Sequence, residues 1–138
     1  MKIRLQRIKI STLIIAAVLT LSSIYSCKPS MDEQVSKRYD EVMAIHDEVM
    51  PLMSTTSKLR RQIKKHNHNN AADQLIADLN ASDEYMMDWM REFKIPKDLP
   101  VSEQMKFLDT MEKKAEKMKQ MFDKSIVNAT NYTKSHQH

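Results

Sequence analysis

Apolar side chains between Tyr39 and Met53, in the stretch YDEVMAIHDEVMPLM, fall on two adjoining lines at helical spacing. Val35, Val42, Ile45, Val49 and Leu52 mark one line; Tyr39, Met43, His46, Met50 and Met53 mark the other. Residues three or four apart share one side of a helix, so two such lines make a face too wide for a single partner helix to cover. The pattern predicts the central helix of a small bundle, running from Met31 or Asp32 to Lys65. Pro51 removes a backbone hydrogen bond and crowds the carbonyl of Asp47; because apolar spacing resumes at Leu59 and Ile63, a kink is expected there rather than an end.

The polar run His66-Asn67-His68-Asn69-Asn70 breaks the pattern. Asn70, with Asp73 three residues on, resembles a capping box for a second helix over Ala71 to Phe93. That helix presents Leu75, Ile76, Leu79, Met86, Met90 and Phe93, with Met87 and Trp89 flanking the stripe. Pro96 and Pro100 make a stiff connector, and Ser102 is the expected N-cap of a third helix over Glu103 to Asn128, striped by Met105, Leu108, Met111, Ala115, Met118, Phe122 and Ile126. Residues 131–138 are expected to be a disordered tail.

Short connections place successive helices side by side in opposite senses, so the expected fold is all-α: an antiparallel up-down-up three-helix bundle over residues 31–130. At ~1.5 Å per residue, His46 and Met90 both lie about 30 Å below the upper turn. They are therefore expected to meet in a core layer of one imidazole among thioethers: His46 with Met50, Met86, Met90 and Met111.

Composition narrows the chemistry. The 138 residues include no glycine, so turns needing positive φ fall to Asn and Asp, and glycine-rich phosphate-cradling loops are excluded. Twelve methionines against three phenylalanines and one tryptophan fill the core largely with flexible thioethers. No alternation of period two suggests a sheet.

The N-terminal stretch changes the charge argument. Lys2, Arg4, Arg7 and Lys9 precede an uncharged run from Ile10 to Ser26, the layout of an export signal. Ile24-Tyr25-Ser26-Cys27 resembles a bacterial lipobox, which predicts a cleaved lipoprotein signal peptide over 1–26, a diacylated Cys27 and a tether over 27–30. Cys27 is the chain's only cysteine, which excludes an internal disulfide. Two or three acyl chains hold a membrane stably where one holds it marginally. Of 22 Lys and Arg, four belong to the signal, leaving 18 against 18 Asp and Glu. The basic balance that would suggest nucleic acid disappears with them. Acids early in the first helix and Lys58, Arg60, Arg61, Lys64 and Lys65 late in it suit the helix macrodipole.

The imidazole and thioether layer is the arrangement that suggests chemistry. Such ligands favour Cu(I), so His46, Met50, Met86 and Met90 form a candidate soft-metal site. The competing reading is core filling, with His46 hydrogen-bonded to Tyr39 or a carboxylate. His66 with His68, and His136 with His138, would bring four imidazoles to the upper end, where adventitious Zn or Ni is the expected occupant. Asn128-Ala-Thr130 and Asn131-Tyr-Thr133 match glycosylation sequons. No nucleophile, base and oxyanion arrangement is visible, so no enzyme is expected.

YDEVMAIHDEVMPLM followed by EYMMDWM resembles a family of small Bacteroidetes lipoproteins often labelled "viral A-type inclusion protein". The likeness covers nearly all of the chain beyond the signal. Its recurrent blocks correspond here to His46 to Pro51 and Met86 to Met90. The resemblance implies an all-helical envelope protein without an established activity. In such bacteria Asp-Thr-Met is also an O-glycosylation signal; Asp109-Thr110-Met111 fits it if Thr110 faces outward.

The expected protein is therefore a non-enzymatic structural or interaction module, held by lipid in the cell envelope and facing the periplasm or cell surface. Lys28 after Cys27 favours the outer membrane. An envelope protein or a second copy is the expected partner, nucleic acid is not, and no cofactor is needed; copper handling by the His/Met layer is the alternative.

Overall fold

A computed structural model describes residues 31–66 and 69–136, all-helical apart from short connections. Four helices follow in order: α1 (Met31–Val49), α2 (Leu52–His66), α3 (Asn70–Glu92) and α4 (Val101–Ser135). No strand occurs among the described residues. None of these helices is long and apolar enough to cross a membrane. The signal peptide 1–26, the tether 27–30 and Cys27 lie outside the described residues.

Three boundaries differ from the sequence expectation. Pro51 ends one helix and opens another: the ladder closes with Met50 N–H donating to the His46 carbonyl at 2.8 Å, and longer bonds that span only three residues follow, from Met53 N–H to the Met50 carbonyl at 3.2 Å and from Ser54 N–H to the Pro51 carbonyl at 3.3 Å. Without an N–H, Pro51 cannot continue the ladder. The register nevertheless survives, because Val35, Val42, Val49, Thr56 and Ile63 recur every seven residues across the break and all are buried. The cap of α3 is Asn69, not Asn70: its side chain accepts from Ala72 N–H at 2.8 Å while its backbone stays extended. Ser102 lies inside α4, which begins after Pro100 with Glu103 and Gln104 N–H donating to the Pro100 carbonyl.

The expected tail is the last part of α4, helical to Ser135. Its length of 35 residues spans about 52 Å, enough to lie along α1 and α2 together. Leu108, Met111, Ala115, Met118, Phe122, Ser125 and Ala129 are buried in alternating steps of three and four, a coiled-coil stripe. Arg38 binds Asp109 and Glu112, and Glu48 binds Lys119, so α1 and α4 run in the same sense. Ser82 meets Ser125 and Trp89 meets Met111, so α3 runs opposite to α4.

The core has two apolar parts. One gathers Val42, Val49, Met86, Trp89, Leu108, Met111 and Phe122; the other gathers Leu59, Ile63, Ala72, Leu79 and Ala129. Polar side chains also cross the interior. Asp83 on α3 accepts from Thr56 Oγ1 at 2.8 Å and from Arg60 at 2.6 Å, joining α3 to α2. Ser82 and Ser125 place their oxygens 3.0 Å apart, and each also lies within reach of a carbonyl of its own helix. One proton per hydroxyl means one serine donates across the interface and the other back along its helix.

Arg38 clamps α1 to α4, donating to Glu112 Oε1 at 2.8 Å, Asp109 Oδ1 at 2.9 Å and Glu41 Oε2 at 3.1 Å. Glu112 first, then Asp109 and Glu41, hold its proton more tightly than usual. At the next level Glu48, 2.6 Å away, likewise raises the pKa of Lys119.

Two measurements follow, both by urea denaturation. Arg38→Met is expected to cost about 1–2 kcal/mol, because the partly exposed clamp is multidentate; a change below experimental error would show it to be an ordinary surface pair. Ser82→Ala and Ser125→Ala should each cost about 1 kcal/mol, and the double variant less than their sum, since the one bond they share can be lost only once. Strict additivity would refute the shared bond.

Candidate functional site

His46 lies on the second line of α1, one turn above Met43 and one below Met50, and only 5% of it is exposed. Its ring stacks on the indole of Trp89 from α3, centroids 5.5 Å apart and planes at 15°. Trp89 continues the stack onto Phe93 at 4.5 Å, and Phe93 meets Tyr39 of α1 at 5.3 Å. The indole N–H donates to the Met111 carbonyl at 2.9 Å, tying the stack to α4. Rings fill this half of the bundle and hold α1 and α3 together through side chains.

The two nitrogens of His46 have different fates. Nδ1 lies 2.9 Å from Asp47 Oδ1, so the imidazole donates to that carboxylate, on the exposed side of α1. Nε2, on the opposite edge, is buried and has no hydrogen-bond partner. A neutral ring that donates from Nδ1 carries its lone pair on Nε2. Of the two partners expected from sequence, the carboxylate is the one found.

The expected closed layer does not form. Met86 is fully buried with His46, whereas Met50 is 55% and Met90 46% exposed. The imidazole faces Trp89, and Met90 stands outside the core. Leu79, Met86 and Phe93 take their expected places, but Trp89 rather than Met90 fills the turn between Met86 and Phe93, and Ser82 is buried between Leu79 and Met86. The expected stripe steps seven residues from Leu79 to Met86, over Ser82, and then four to Met90. The steps from Leu79 to Phe93 alternate four and three only if Ser82 and Trp89 are admitted, a signal available in the spacing.

Among the described residues no group of three or more His, Cys, Asp or Glu is placed to hold a metal ion. Of the upper histidines, the side chain of His66 and all of His68 and His138 lie outside the described residues. His136 stacks on Tyr132 at 4.2 Å, with Nδ1 2.9 Å from the Tyr132 carbonyl. Asn128 and Asn131 are exposed on α4 rather than in a loop, and Thr133 is buried. Thr110 faces outward, as the Asp-Thr-Met reading requires, but its hydroxyl donates to the Lys106 carbonyl, while Met111 is core. An open cleft of about 590 Å³ between the start of α1 and the α3–α4 connector is lined by Tyr39, Ile95, Lys97 and Gln104, among others.

No family model, no curated protein and no solved structure matches this chain.

His46→Leu keeps volume and apolar contact while removing the orphaned nitrogen. In metal-free buffer its unfolding free energy is expected to equal the parent's or exceed it by up to about 2 kcal/mol. A loss greater than about 1 kcal/mol would mean that Nε2 is satisfied in solution.

Proposed function

We propose that the protein is a lipid-anchored component of the cell envelope, an up-down-up bundle of three helical arms that serves as a non-enzymatic structural or interaction module. The observation that carries this reading is the contrast between its surface and its chemistry. Met50, Met87, Met90, Leu99 and Val127 are large apolar side chains left exposed on the helices and connector, while no group of three or more His, Cys, Asp or Glu placed to hold a metal occurs among the described residues. Exposed methionines adapt to differently shaped apolar partners. Their partner in this reading is another envelope protein or a second copy of the chain.

The anchoring half of the reading rests on Ile24-Tyr25-Ser26-Cys27 and on the uncharged run before it, and is supported by the resemblance to small envelope lipoproteins. Lys28 favours outer-membrane delivery, with the bundle facing the periplasm or the cell surface. Near-balanced charge beyond the signal argues against nucleic acid as partner.

Replacing the lipid acceptor tests it. Cys27→Ser is expected to move the protein from the membrane fraction to the soluble fraction and to abolish incorporation of labelled fatty acid. Unchanged fractionation of a fully expressed variant would overturn the anchor.

A further inference from the structure

The seam between α1 and α3 carries chemistry that an interaction module does not need. His46 Nε2 is buried, unpartnered and acceptor-only, which costs stability wherever it has no function. Its opposite nitrogen is held by Asp47, the arrangement by which an outer carboxylate fixes the tautomer and strengthens a metal-binding imidazole. Two thioethers share the core cluster of Trp89, Met86 inside it and Met43 packed against it. Met43 and Met50 lie three residues before and four after His46, on the same side of α1. Met86 lies one turn from Trp89 on α3, fully buried, and the ring of Trp89 covers that of His46.

We propose that this seam binds one monovalent soft metal ion, Cu(I) or Ag(I), through His46 Nε2 and the thioethers of Met43, Met50 and Met86. Neutral sulfur and imidazole donors suit soft monovalent ions, whereas Zn and hard cations require several thiolates, imidazoles or carboxylates together, and no group of three or more His, Cys, Asp or Glu that could hold one occurs among the described residues. Asp47 behind the ring supplies the balancing charge. The adjacent indole face offers further attraction to a cation. Met50, one turn beyond His46 on α1, is 55% exposed, and its three side-chain torsions let it close over an entering ion. Met43 takes the place that the sequence pattern gave to Met90. The proposal is independent of lipid anchoring, and each can fail without the other.

The test uses the full chain in detergent micelles, titrated with Ag(I) in chloride-free buffer and, anaerobically with reductant, with Cu(I) against a chromophoric chelator. Trp89 is the chain's only tryptophan, so its emission reports on the seam directly. The expected result is a change in emission that saturates at one equivalent of metal, with the His46 Nε2 resonance of the unmutated protein shifting at the same ratio. His46→Leu, with helicity checked by circular dichroism, is expected to weaken binding by about 100-fold or more, and Asp47→Asn by about 10-fold. Met50→Leu and Met86→Leu weaken it; Met87→Leu, on the outer surface of α3, leaves it unchanged. Absence of saturation, an unshifted Nε2, or parental affinity in His46→Leu would each overturn the site. Met87→Leu as damaging as Met50→Leu would reduce the binding to scattered surface thioethers and overturn it equally.

Discussion

Burial of one face of α4 holds the other helices together. α4 packs against α1, α2 and α3, and its stripe from Leu108 to Ala129 contributes to both parts of the apolar core. A helix of this composition, dense in Lys and Glu on its outer side, has little reason to be stable alone; an apolar strip facing two partners at once supplies most of its free energy. The break at Pro51 is tolerated for the same reason. α4 spans it as a splint, and the seven-residue recurrence of Val35, Val42, Val49, Thr56 and Ile63 keeps both short helices turned towards α4.

The two halves of the bundle are packed by different means. Towards the upper turn, Thr56, Ala72, Ser82, Ser125 and Ala129 are small, so α2, α3 and α4 approach closely and the polar groups find one another. Towards the other end, Trp89, Phe93, Phe107 and Tyr39 are large, and α1 and α3 are joined by ring contacts instead of close backbone packing. Wide spacing here is a geometric consequence of ring volume. It leaves long, flexible methionines as the remaining filler, some inside and some at the surface, and it is why the only imidazole in this region sits beside a ring.

Helix type and the Val35, Val42 and Val49 line of the first arm were legible because aliphatic residues recur there, whereas the second expected line is only partly inside, with His46 buried and Tyr39 and Met50 exposed. What misled the sequence reading was polarity. Ser82, Ser125 and Thr133 are core residues whose hydroxyls bond to carbonyls one helical turn earlier or to each other, so they cost little to bury, yet each reads as a gap in an apolar stripe. Ser82 leaves a seven-residue gap in the apolar stripe of α3, which hides the alternation of three and four that selects Trp89 over Met90; Ser125 and Thr133 leave gaps that hide the end of α4. Pro51 was read as a kink because Leu59 and Ile63 stay in phase, and phase alone does not distinguish a bent helix from two helices in register. The pairing of Nδ1 with Asp47 and the isolation of Nε2 had no sequence signal, since they depend on which edge of the ring α3 covers.

His46 is the point where stability and composition disagree. A leucine at this position would continue the apolar pattern of α1, stack against Trp89 and leave no polar atom without a partner, so packing alone selects against histidine. Asp47 does not settle the matter: it is largely exposed, and a bond to an exposed carboxylate returns little of what the buried edge of the ring loses. The hydroxyls of Thr56, Ser82 and Ser125 are all bonded, and among the described residues the Tyr132 hydroxyl on α4 is the other buried side-chain atom without a partner. Of these two open groups the imidazole edge is the one whose opposite nitrogen is held by a carboxylate, whose ring stacks on the chain's single indole, and which has methionines one helical turn to either side of it along the chain.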